Sequence, residues 1–198
     1  MGTRDEQLLM QENITESYEI LKGLRDSVYS PSIVEVVDEK IVIAAGAYTA
    51  GDVVSNAVSG GTPAATPWRF ENVVKELGGA GRIIDALILA ETTAIASVFS
   101  LFIHNDVPTC ELDDADANTA FLKADRGIAV VRIDFTACDD VGTGMSESTA
   151  TPSTYGKLPK VFVCRPDSRD LWGVLAIQNA VDLADNTTLT IKLWIERY

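Results

Sequence analysis

The chain has 198 residues, 46% hydrophobic and 23% charged, a composition typical of a folded protein with room for one substantial domain. Acidic residues outnumber basic ones 29 to 16, which gives a formal net charge of −13. Because a field of that sign repels phosphate and anionic lipid headgroups, we expect neither a nucleic-acid partner nor a membrane partner.

The amino-terminal residues do not have the pattern of a secretory leader. Met1–Gln11 is polar and charged, without an apolar core or a small-residue cleavage site. The longest apolar region, Ile83–Ile103, contains Asp85 and Glu91, which argues against a membrane span. We therefore expect synthesis in the cytoplasm.

The cysteine pattern indicates free thiols. The three cysteines are widely spaced and odd in number, which fits neither a disulfide framework nor the ligand spacing of a zinc site: Cys110, Cys138 and Cys164. We expect no bound metal and no cofactor.

Residues Thr3–Val28 have the only strong helical pattern. The helix either packs on its own domain or contacts copies of itself or another protein, and the pattern leaves these alternatives open. Because Pro31 disfavours the helical conformation at Ser30, we expect a helical arm over residues 1–30 and a second domain over 31–198. In a heptad pattern the a and d positions are occupied by Met10, Ile14, Leu21, Leu24 and Val28, and Ser17 is the one polar residue at such a position. The five apolar residues are our candidate interface residues.

After Pro31 the apolar pattern has a period of two, which is typical of half-buried β-strands. Turn signals recur roughly every ten residues and helical crossovers are missing, which favours a mainly β fold, an antiparallel, jelly-roll-like β-sandwich. Ile33–Val37 and Ile41–Ala45 are predicted to be strands that flank a polar turn at Asp38–Lys40, and Tyr48–Val54 is predicted to be a turn that leads into a strand. The other predicted strands are Trp68–Lys75, Arg82–Ala90, Ala96–His104, Gly127–Phe135, Lys160–Arg165, Leu171–Ala180 and Leu189–Glu196.

Two features of the carboxy-terminal half suggest contacts with a partner. The segment 136–159, rich in Gly, Ser, Thr, Asp and Pro, is predicted to be a long exposed loop that reaches a neighbouring subunit or a partner. In the last strand Trp194 points outward among polar residues, and such an aromatic is either an ordinary exposed side chain or part of an interface. We include Trp194 among the candidate interface residues.

Candidate catalytic and ligand-binding residues are few. His104 is the only histidine, and no serine has a nucleophile-elbow context, so we expect a partly exposed structural residue. The acidic run Glu111–Asp116, with Asp139–Asp140 as a weaker cluster, offers oxygen ligands for calcium but lacks the other parts of an EF-hand, so we interpret it as a solvated loop. Gly78–Gly81 precedes a strand, which predicts a tight hairpin connection with positive φ rather than a phosphate loop.

Several short segments between Ala47 and Phe135 resemble a group of virion proteins of tailed bacteriophages. The resemblance covers about half of the chain and carries over no catalytic residues. The matching segments are Ala47–Val54, Phe70–Val73, Gly79–Ile83, Leu101–Phe102 and the run rich in Asp and Asn that ends at Asn118.

The resemblance implies a head decoration (cement) protein: a non-enzymatic β-sandwich that assembles as a homotrimer. Such a protein would lie on the outer capsid surface and stabilise the head by bridging major capsid protein subunits. The alternative is a receptor- or glycan-binding module of a head or tail fibre. An enzyme built on a β-sandwich is a third reading, and it would require a cleft that converges on His104 or on Asp113–Asp116.

Overall fold

The computed structural model describes residues 4–42, 47–92, 95–151, 158–183 and 186–198. By its internal contacts the chain divides into a small unit that ends at Ser32 and also takes in Tyr198, and a larger unit, Ile33–Arg197.

The small unit is one long α-helix. Helix α1 spans Arg4–Tyr29, 26 residues, and so agrees with the predicted helix to within one residue at each end. It ends where Pro31 follows, because a residue before proline avoids the helical conformation. No helix in the described part of the chain is long and apolar enough to cross a membrane.

The larger unit is built from short antiparallel β-strands. In chain order they are β1 (Ser32–Val42), β2 (Ala47–Tyr48), β3 (Trp68–Phe70), β4 (Ala80–Ala90), β5 (Val98–His104), β6 (Ala129–Ala137), β7 (Asp139–Asp140), β8 (Ser146–Thr149), β9 (Lys160–Val163), β10 (Leu171–Ile177), β11 (Val181–Asp182) and β12 (Thr187–Arg197).

Two sheets form a sandwich. The first sheet has the order β1-β12-β4, and β8 and β9 pair with the two halves of the free edge of β4, with β7 beyond β8. The second sheet has the order β3-β10-β5-β6. The chain alternates between the sheets so that strands distant in sequence are neighbours, which is the strand order of a jelly roll. The mainly β, jelly-roll-like fold predicted from the sequence is confirmed.

The core lies between the two sheets. In β12 every second residue is buried, from Leu189 to Ile195, and β4 contributes Ile83 and Ile88 beside them. The second sheet contributes aromatic and aliphatic side chains that are also fully buried: Trp68, Phe70, Phe99, Leu101, Ile103, Ile133, Leu171, Leu175 and Ile177. Alternation between buried and exposed positions therefore places one face of each sheet in a single apolar cluster.

The structure corrects three local predictions. β1 is one continuous strand, and the residues predicted as a turn, Asp38–Lys40, lie within it; residues 43–45 of the predicted second strand lie outside the described residues. Segment 136–159 is not simply a loop, because β7 and β8 lie within it and β8 pairs with β4; residues 152–157 lie outside the described part.

The third correction concerns the glycine-rich segment. Gly78 has a φ of 70°, as predicted, but the connection from β3 to β4 crosses from one sheet to the other, so it is not a hairpin.

Candidate functional site

The apolar stripe of α1 is exposed between Met10 and Leu24, where the structure describes its side chains. Its large apolar side chains are each between 57% and 65% exposed: Met10, Ile14, Tyr18, Ile20, Leu21 and Leu24. Four of the five predicted interface residues of the helix belong to this set, and the side chain of Val28 lies outside what the structure describes. A stripe of this size on a monomer marks a surface that a partner normally covers.

The stripe is wider than a simple heptad seam. Tyr18 and Ile20 flank the a and d positions on either side, so apolar side chains also occupy e and g positions. The opposite face carries Thr15 and the Glu19–Lys22 ion pair, with 3.9 Å between Oε2 and Nζ. The helix is therefore amphipathic, with a polar side suited to water and an apolar side suited to other helices.

The outer face of the first sheet is the second apolar surface. Trp194 lies there on β12 and is half-buried, next to Asp85 of β4. The edge strand β1 adds Ile33 and Ile41, which are 67% and 58% exposed, on the side from which Glu35 accepts a hydrogen bond from Lys192. The prediction of an outward-facing Trp194 named one residue of this surface. The spacing of four residues from Ile33 through Val37 to Ile41 is the signal that would have revealed the rest.

His104 is fully buried, so the prediction of a partly exposed residue is wrong. It lies at the end of β5, on the face of the second sheet that is turned away from the main core. The ring of Phe121, from the loop 105–128, packs edge-on against it with 5.1 Å between ring centroids. Because burial penalises the charged ring, the pKa of His104 is lowered, although the negative charge of Asp125 opposes this shift.

The structure brings His104 together with Cys110 and Asp125. One nitrogen, sulfur or oxygen atom from each residue lies within 4.8 Å of those of the other two. Asp125 is 2% exposed and accepts hydrogen bonds from the backbone N–H and the hydroxyl of Thr109, at 3.1 and 2.8 Å. We expected no metal site because the spacing of the three cysteines fits no zinc motif. That spacing cannot reveal a cluster that contains a single cysteine together with a histidine and an aspartate.

The same three residue types could form a catalytic triad, but the geometry argues against that reading. Neither ring nitrogen of His104 has a hydrogen-bond partner among the described residues, so the imidazole is not placed as a base against the thiol. Burial, together with the negative charge of Asp125, raises the pKa of Cys110 to about 11. A nucleophilic cysteine needs the opposite shift, because the thiolate is the reactive form.

The acidic run does not act as one unit. Glu111, Asp113 and Asp116 lie together at the surface of the loop, whereas Asp114 points inward and is 4% exposed. Both carboxylate oxygens of Asp114 accept from the Tyr48 hydroxyl at 2.9 Å, and Oδ1 also accepts from the Ser55 N–H at 2.7 Å. Asp114 is therefore an anchor that ties the loop to the sandwich, a role that the sequence run did not indicate.

The three cysteines are free, as predicted. Burial raises the pKa of Cys138 and of Cys164 to about 11. These two thiols are buried and pack with the main core.

Comparisons with known proteins do not assign a family to the chain. No family model matches its sequence, and no curated protein matches it. One similar solved structure is the acidic stable capsid of Helicobacter pylori bacteriophage KHP30, with 14% identity over 84% of this chain and 92% of that chain and a TM-score of 0.27. Another is desmodium yellow mottle tymovirus, with 13% identity over 84% of this chain and 86% of that chain and a TM-score of 0.25. At scores this low neither likeness assigns a function, and the fold class is defined by the strand order itself.

Proposed function

We propose that this chain is a non-enzymatic structural protein of a virus particle, a decoration protein on the outer surface of a tailed-phage head. The observation that carries the proposal is the exposed apolar stripe of α1, whose six large side chains are more than half exposed in the isolated chain. A jelly roll suits this role, because the fold recurs in viral capsid proteins.

The helices of three copies cover one another's stripes. Full burial of one large apolar side chain contributes about 1.5–3 kcal/mol, and roughly 60% of each of the six remains to be covered, so together they contribute on the order of 5–10 kcal/mol per copy before the cost of association. The apolar e and g positions, Tyr18 and Ile20, favour more than two helices, because a wider stripe has more surface to bury. Three linked copies then bind a shell through several weak contacts at once.

The major capsid protein is the partner that we assign to the outer face of the first sheet. That face offers Trp194, Ile33 and Ile41 among charged residues, a mixture typical of an interface. The net charge of −13 suits the outside of the shell, away from packaged DNA. Binding only to the assembled shell stabilises that state by mass action, without any chemical step.

Replacing Ile14 tests the role of the helix. In the trimer, Ile14→Glu places three carboxylates against one another in the seam, so sedimentation equilibrium should show monomers where the native chain is trimeric. Thr15→Glu is the matched control, because it adds the same residue at the adjacent β-branched, exposed position and should leave the trimer intact. A native chain that is monomeric, or an Ile14→Glu chain that remains trimeric, contradicts the assignment of α1.

Copy number tests the role in the particle. Quantitative mass spectrometry of purified particles should find this chain in hundreds of copies, comparable with the major capsid protein. A count of tens or fewer supports the alternative, a receptor- or glycan-binding fibre module. A chain that is abundant in the lysate and missing from particles refutes both readings.

A further inference from the structure

The loop 105–128, between β5 and β6, covers the outer face of the second sheet. Beneath it is a small apolar cluster formed by Val53, Phe102, Val174 and Ala176. Cys110 and Phe121 from the loop pack against this cluster, and His104 of β5 is buried at its edge. The His104–Cys110–Asp125 group therefore lies in a shielded place, where the two ends of the loop meet the end of a strand.

The spacing of the three ligand atoms suits a small cation. All three lie within 4.8 Å of one another. In a tetrahedral zinc site with bonds of about 2.0–2.3 Å, ligand atoms are about 3.3–3.6 Å apart. A contraction of at most about 1.5 Å would bring the group to that geometry.

The buried imidazole of His104 has nitrogen atoms that could bind a metal ion. It is 0% exposed, and neither ring nitrogen has a hydrogen-bond partner among the described residues. A metal that accepts the lone pair of one ring nitrogen would give that nitrogen a partner. Asp125 is already oriented by two hydrogen bonds from Thr109, as carboxylate ligands of metals usually are.

We propose that His104, Cys110 and Asp125 bind one divalent cation of the zinc class. The nitrogen, sulfur and oxygen donors select a borderline-soft ion over calcium or magnesium, which prefer oxygen ligands only. On binding, the Cys110 thiol releases its proton to solvent and the thiolate forms the bond to the metal. The ion joins the end of β5 to both ends of the loop, and a water molecule completes its four ligands. The proposal does not depend on the role proposed for the particle.

Cobalt titration of the full chain tests the site directly. Protein freed of metal with a chelator and then dialysed should take up one Co²⁺ per chain with a sulfur-to-cobalt charge-transfer band, and Zn²⁺ should abolish the band. Cys110→Ser should lose the band and weaken binding roughly tenfold or more, whereas Cys164→Ser, a buried cysteine outside the cluster, should keep both. A native chain without the band, or a Cys110→Ser chain that retains it, overturns the proposal.

A second measurement needs no variant, so it does not depend on the folding of one. The native chain is alkylated with iodoacetamide with and without Zn²⁺, and each cysteine peptide is quantified by mass spectrometry. Zn²⁺ should slow the labelling of Cys110 roughly tenfold or more and leave the rates at Cys138 and Cys164 unchanged. Equal rates at Cys110 with and without the ion overturn the proposal, as does rapid labelling of metal-free Cys110 at neutral pH, which would indicate an activated nucleophile.

Discussion

Removal of the Tyr48 hydroxyl should destabilise the sandwich by about 2 kcal/mol. Tyr48 is 1% exposed, and its hydroxyl donates to both oxygens of Asp114 at 2.9 Å. A hydrogen bond to a charged group contributes about 1.5–3 kcal/mol, and Tyr48→Phe removes that bond while the ring remains packed. For a chain of this size, 1 kcal/mol corresponds to about 2–4 °C, so we expect Tm to fall by about 4–8 °C.

The assay is urea unfolding at one fixed protein concentration, since oligomers unfold in a concentration-dependent way. Thr15→Val is the control: it removes an exposed hydroxyl on the polar face of α1 with little change of shape, and it should leave the free energy of unfolding within about 0.5 kcal/mol of the native value. Tyr48→Phe combined with Asp114→Asn should show a coupling of at least about 1 kcal/mol. The reasoning fails if Tyr48→Phe is as stable as the native chain, or if the two changes are additive.

Three further predictions concern glycines and thiols. Gly173→Ala should destabilise the chain by about 1–3 kcal/mol in urea unfolding, because a Cβ there would lie 2.9 Å from a leucine methyl, whereas Gly127→Ala, with nothing within 4 Å, should be neutral; equal stabilities would contradict this reasoning. A Cβ added at Gly23 of α1 would have no atom within 4 Å, so Gly23→Ala should stabilise the helix by about 0.5–1 kcal/mol and raise the helix content measured by circular dichroism. A lower helix content would contradict this prediction. Near pH 8, iodoacetamide should alkylate Cys138 and Cys164 roughly 100-fold more slowly than a solvent-exposed cysteine peptide, with rates that rise towards a pH of about 11; a rate equal to that of the peptide refutes the raised pKa values.

Local pattern was sufficient to predict the helix and the class of fold. The 3.5-residue repeat of α1 and the two-residue repeat of β12 are each contained in a short stretch of sequence, so each element could be predicted without knowledge of its neighbours. The same pattern identified most of the exposed stripe of the helix. It could not show that Asp38–Lys40 continue a strand, because the partner that holds them there, β12, is about 150 residues away.

Which strands pair, and which side chains meet, depends on contacts between distant parts of the chain. β8 is a strand because it pairs with β4, and the sequence around it, rich in Ser, Thr and Gly, has only weak strand preference by itself. Asp113 and Asp114 are neighbours in sequence, yet one is at the surface and the other is buried against Tyr48. His104, Cys110 and Asp125 come together only because the loop folds back over the sheet, and closure of that loop is a tertiary event that no local propensity encodes.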